Sequence, residues 1–202
     1  DVCSSDLTLV WLNAGSRITY SQGFGVGNRK IELIGEGYFE VKRNEEVPFL
    51  VKTNSLLVKV LGTKFNFRDY PDDAEAIVSL SEGKVALNNL LKKEKEAFLL
   101  PNERVVLNKK NGRMHVEYST VSNALQWTNG YLFFDEELLP DVVKELERSY
   151  NVKIQIASDT LNTFRFYGNF VHREQNIQEV LEALSATRKI HYIIEGHNIT
   201  LY

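Results

Sequence analysis

The hydrophobic pattern of this chain changes period once, and that change limits the folds open to it. From residue 7 to about residue 118, apolar side chains recur at every second position, the spacing of half-buried strands. Val47, Phe49 and Val51 alternate with Pro48, Leu50 and Lys52. Leu56, Val58 and Val60 alternate with Leu57 and Lys59, Phe65 and Phe67 flank Asn66, and Met114, Val116 and Tyr118 flank His115 and Glu117. Turn signals part these runs: Gly23, Gly25 and Gly27 in one loop, the turn Tyr70-Pro71-Asp72-Asp73, Glu82-Gly83, and Asn111-Gly112, where both residues tolerate positive φ. Roughly ten or more strands with no helix between them predict antiparallel sheets, as a sandwich, roll or solenoid, over residues 1–118.

Residues 119–126 are polar and follow neither period, so they read as a linker. Over residues 127–202 the spacing becomes helical twice. Leu139, Val142, Val143 and Leu146 form one apolar helix face, with Pro140 and Asp141 suited to its first turn. Ile177, Val180, Leu181 and Leu184 repeat that face behind Asn176 and Glu179, a capping-box-like start. Strands are predicted at 152–156, 164–170 and 190–194, with a final strand ending at Tyr202. A constant offset of 38 positions carries Leu139 onto Ile177, Val142 onto Val180, Val143 onto Leu181, Leu146 onto Leu184, Val152 onto Ile190 and Ile156 onto Ile194. Two strand–helix–strand copies sharing one sheet predict a compact α+β domain of β-α-β-β-α-β type.

Composition removes several classes of function. The net charge of −3 comes from interspersed acidic and basic residues, so no basic field for nucleic acid exists. Cys3 is the only cysteine, which excludes an internal disulfide and a cysteine metal site. No apolar run approaches the roughly 20 residues of a membrane helix, and no leader precedes the first strand, so any targeting or anchoring segment is expected upstream. The glycine run at 23–27 lacks phosphate-loop spacing, with Lys30 at the third glycine's place and no helix following. Glu36 and Glu40 on one strand would stand about 13 Å apart, beyond the roughly 5–9.5 Å of a glycosidase pair. His115, His172, His191 and His197 are isolated, and no serine lies in a GxSxG elbow. No catalytic residue, cofactor site or metal ligand is therefore nominated, and the chain reads as a non-enzymatic binding protein.

Five ordered motifs carry a resemblance: Val10-Trp-Leu-Asn-Ala-Gly-Ser16, Leu33-Ile-Gly-Glu-Gly-Tyr-Phe-Glu-Val41, Pro48-Phe-Leu-Val51, Val60-Leu-Gly-Thr-Lys-Phe-Asn66 and Ser81-Glu-Gly-Lys-Val85. Together they resemble FecR, a family of sigma regulators (anti-sigma factors) of Gram-negative bacteria. The C-terminal repeat resembles the domain that closes many such regulators, related to the secretin/TonB short N-terminal fold. The resemblance covers nearly all of the chain from Leu7. It departs before that point: the family usually reads Asp-Gly-Ser/Thr ahead of the Val-Trp-Leu-Asn strand, whereas here Leu7 occupies the glycine's place, and Cys3 carries no functional weight.

The resemblance implies a periplasmic region of a protein anchored in the inner membrane by a helix upstream. It also implies two partners: the N-terminal signalling domain of a TonB-dependent outer-membrane transporter, and an extracytoplasmic-function sigma factor held by a cytoplasmic segment outside this chain. Free sheet edges recruit partner strands, so the strands at 164–170 and 198–202 are the expected docking elements, represented by Phe164, Phe166, Phe170, Asn198, Thr200 and Tyr202, with the polar helix faces as the alternative. The alternative reading is a periplasmic carbohydrate-binding, lectin-like β module. Its aromatics are Trp11, Tyr20, Phe24, Tyr38, Phe39, Phe49, Phe65, Phe67 and Tyr70, of which Phe24, between glycines, is the one expected at the surface.

Overall fold

The computed structural model describes residues 2–3, 6–25, 27–119, 121–186 and 188–202, with the backbone alone at residues 2, 3, 121 and 122. Two units divide the chain, Asp1–Thr128 and Asn129–Tyr202.

The first unit carries the strands β1 Val2–Cys3, β2 Leu9–Leu12, β3 Arg17–Tyr20, β4 Lys30–Glu40, β5 Phe49–Lys52, β6 Leu56–Val60, β7 Lys64–Asp69, β8 Glu75–Glu82, β9 Val85–Asn89, β10 Ala97–Leu99, β11 Glu103–Asn108 and β12 Met114–Tyr118. All twelve belong to one continuous sheet that passes through β4. The first half of β4 pairs with β3 and β5. Its second half pairs with β2 and β7. The sheet therefore forms two layers joined by one long strand, β2, β7, β8, β11 and β12 in the first layer and β3, β5, β6, β9 and β10 in the second. Inward residues of both layers meet in a single core, where Phe39, Phe49, Phe65, Phe67, Val51, Val58, Leu80 and Leu87 are essentially inaccessible. Alternation on each strand is what makes this packing available.

One pair departs from the antiparallel expectation: β4 and β5 run parallel, Ile31 opposite Val51. A parallel neighbour needs a crossover. Here β4 leaves the second layer midway, so residues 41–48 can bring the chain back beside its start.

Leu7, standing where the resemblance places glycine, has φ +64° and is 66% exposed. A left-handed backbone costs an L-residue roughly 1–2 kcal/mol. Leu7→Gly is expected to raise the unfolding free energy by about 0.5–1 kcal/mol after glycine's greater unfolded-state entropy is subtracted. The midpoint of a denaturant titration checks it, and a fall would contradict it.

The segment 119–126, read as a linker, has local helical structure in its described part. It includes helix α1 Val121–Ala124, followed by a 3-10 helix Gln126–Asn129, and α1 lies against β8 of the first unit. Trp127, assigned by its period to the C-terminal domain, is bonded to the β body instead.

The second unit runs β13 Tyr131–Leu138, α2 Leu139–Tyr150, β14 Lys153–Ile156, a 3-10 helix Asp159–Thr163, β15 Arg165–Val171, α3 Ile177–Ser185, β16 Tyr192–Glu195 and β17 Asn198–Leu201. The closing hairpin of β16 and β17 stands where the sequence predicts strands at 190–194 and ending at Tyr202, one strand more than a β-α-β-β-α-β order holds. Pro140 lies in the first turn of α2. Asn176 and Glu179 form a reciprocal capping box on α3. The shared sheet of the sequence reading is corrected: β13 and β15 pair antiparallel in one small sheet, while β17 lies between β14 and β16 in another. Both helices and both sheets contribute to one core, with Leu139, Val142, Leu146, Val180, Leu181, Leu184 and Leu201 fully buried. The repeat breaks at its last position, because Ile199 and Leu201 of β17 occupy the core and Ile194 is 40% exposed.

Candidate functional site

Two of the five motifs meet where the chain changes layer. The turn 13–16 carries it from β2 to β3, beside the point at which β4 crosses at Gly35 and Glu36. Ser16 accepts from the Glu36 amide at 2.8 Å and contacts the Tyr70 hydroxyl at 3.1 Å. Tyr70 donates its proton to the Ala14 carbonyl at 2.7 Å, so Ser16 is the donor to Tyr70. Gly35 has φ +100°, and a Cβ there would lie 2.4 Å from Ser16 Oγ and 2.8 Å from Ser16 Cα. Only glycine lets these two segments pass so closely.

The other crossings use the same device. Gly62 lies in the passage from β6 to β7 and Gly83 in the passage from β8 to β9. A Cβ on Gly62 would meet Arg43 Cα at 2.6 Å, and one on Gly83 would meet the Gly62 carbonyl oxygen at 2.9 Å. Thr63 Oγ1 donates to the Lys84 carbonyl at 3.1 Å, tying the two crossings together. The 41–48 crossover is held by Arg29, a buried cation that sequence reasoning did not single out. It bonds Asp6 at 2.6 Å, the Val47 carbonyl at 3.0 Å and the Lys42 carbonyl at 2.7 Å.

On the outer face of the first layer, Glu36 is the centre of a buried polar network. Asn13 Nδ2 donates to it at 2.9 Å and Asn66 Nδ2 at 2.8 Å, and Arg68 stands 3.6 Å away. Asn66 is 3% exposed, and its carbonyl oxygen accepts the Trp127 indole N–H at 3.2 Å. These positions have the polar phase of their strands yet are buried, because α1 and Trp127 lie over that face. Such a network specifies a fold strongly when each member is bonded.

Three tyrosine hydroxyls are held above their ordinary range. Burial, aided by Glu40, pushes the Tyr38 hydroxyl well above the usual tyrosine range. Burial likewise raises Tyr150, and a hydrogen bond to Glu136 raises Tyr167. All three are neutral donors near neutral pH. Among the described residues no group of three or more His, Cys, Asp or Glu is placed to hold a metal.

The expected docking residues fall into two groups in the second unit. Phe164 and Phe166 pack against the core and Phe170 is buried within it. Phe166 and Phe170 stack at 6.2 Å over Gly168, where a Cβ would come within 2.6 Å of Phe166. The outward face of β15 is instead Arg165, Tyr167 and Asn169. Asn198, Thr200 and the adjoining Tyr202 belong to the central strand of its sheet. Asn198 and Thr200 are paired to β14 on one side and β16 on the other, so β17 offers no free edge. The parallel β14–β17 pairing is a long-range event that periodicity does not reveal. The strand expected at 190–194 is β16, an edge strand with Ile193 49% and Ile194 40% exposed; sequence reasoning did not name it as a docking edge, and its consecutive isoleucines were the available signal. Phe24, the aromatic expected at the surface, is half-buried and packs edge-on to Phe49 at 6.0 Å.

Comparison with known proteins agrees with this geometry. The family profile described as FecR protein matches residues 1–86, and the profile described as FecR, C-terminal matches residues 131–201. Two crystal structures of a candidate anti-sigma factor from Parabacteroides distasonis ATCC 8503 are similar to the chain. Each is 33% identical, covers 100% of this chain and 92% of its own, and gives a TM-score of 0.89. No curated protein matches. The two family matches and the 33% identity over the whole chain define the class as a signal-transducing regulator. The chain belongs to the FecR family of anti-sigma factors.

Proposed function

We propose that this chain is the periplasmic sensing part of a FecR-type regulator, whose second unit receives the signalling domain of a TonB-dependent outer-membrane transporter. The contact is relayed to an extracytoplasmic-function sigma factor held by a segment outside the chain, and no catalytic step takes part. The observation that carries this reading is the match of two family profiles, one on each unit. No helix among the described residues is long and apolar enough to cross a membrane.

The docking element is the outer edge of β16. An edge strand left bare in water invites pairing, and proteins usually blunt such edges with charge. Each of the two edges carries one charge, Arg165 at the start of β15 and Glu195 at the end of β16, but β16 also presents the exposed pair Ile193 and Ile194. A partner strand would add main-chain hydrogen bonds there, with the isoleucines supplying apolar contact.

Binding of a purified transporter signalling domain to the full chain tests this. Ile193→Lys is expected to weaken binding about tenfold or more, the loss typical of a buried interface anchor. Tyr167→Ala, on β15, should change it little. The reverse pattern would move the docking edge to β15, and loss in neither variant would remove strand addition altogether.

A further inference from the structure

We propose that Trp127 is a latch, through which engagement of the second unit is transmitted to the β body. Resting on the docking role proposed above, the inference adds a moving part to it.

Trp127 is the penultimate residue of the first unit, and the second begins at Asn129. Its indole N–H has one hydrogen to give, and Asn66 receives it. The Asn66 amide can serve both neighbours in one orientation alone. Its nitrogen must face the Glu36 carboxylate at 2.8 Å and its oxygen the indole. Glu36 in turn is bonded to Asn13 in the 13–16 crossing, and its backbone amide to Ser16. A force on the chain at residue 129 therefore acts first on a single indole bond, and behind that bond stands the corner at which the layers join. Beside it stands α1, whose four residues are too few to persist as a helix without their packing on β8. One bond of modest net strength is the right scale for a latch that a docking partner can open.

Chymotryptic cleavage at Leu125 in the intact chain reads the latch. Trp127→Phe keeps the ring and removes the N–H; it is expected to speed cleavage roughly five- to tenfold, the change in open population for one net hydrogen bond. Asn66→Ala should act in the same direction, and Trp127→Phe keeps the test valid if Asn66→Ala unfolds the body. An unchanged rate in Trp127→Phe would overturn the latch. Saturating a full-length wild-type chain with a purified transporter signalling domain should raise its rate toward that of Trp127→Phe. Binding without acceleration would leave docking in place and refute the latch as its relay, whereas absence of binding would contradict the docking role itself.

Discussion

Gly35→Val is expected to lower the stability of the β body by about 2–5 kcal/mol, combining roughly 1–2 for a left-handed backbone with about 1–3 for overpacking. The clash is with backbone as well as side chain, since Ser16 Cα would lie 2.8 Å from the new Cβ. Ser16 cannot retreat without giving up the Glu36 amide and the Tyr70 hydroxyl. Denaturation followed by tryptophan fluorescence, with Trp11 tilted against Tyr38 at 5.4 Å, reports the body. Helical circular dichroism reports largely the second unit, which holds α2 and α3 and whose transition should stay in place. A loss under 1 kcal/mol would mean that the crossing has slack the geometry denies.

Glu36→Gln keeps the shape and is expected to destabilise the body by about 2–4 kcal/mol, through an unmatched buried donor and the loss of the charge facing Arg68. Asn13 and Asn66 both present N–H groups to this carboxylate, and a glutamine must turn its own NH2 toward one of them. Were Asn66 to flip in response, its nitrogen would face the Trp127 N–H, and the conflict would pass to the neighbouring bond. Glu36→Gln and Trp127→Phe should therefore be non-additive, the double variant losing about 0.5–1.5 kcal/mol less than the sum. Additivity would show that Asn66 does not join the two.

Much of this architecture is written in local spacing. Alternation at Val47–Val51 or Leu56–Val60 places strands because each must bury one face, and the matching faces of α2 and α3 are legible for the same reason. What escapes is whatever depends on the partner. The parallel β4–β5 pair follows from where β4 changes layer, and the central place of β17 depends on a parallel neighbour more than forty residues away. Residues 119–126 read as a linker because nothing near them in sequence announces that Asn66 awaits the neighbouring Trp127. The glycines of the motifs, by contrast, point to close passage even without coordinates, since a strand keeps glycine at a price unless another backbone comes near.

The role of the second unit is tested most directly by hydrogen exchange of the full chain with and without a saturating transporter signalling domain. The account predicts slowed exchange within residues 129–202, strongest in β16 at Tyr192–Glu195. Slowed exchange confined to residues 1–128 would contradict it.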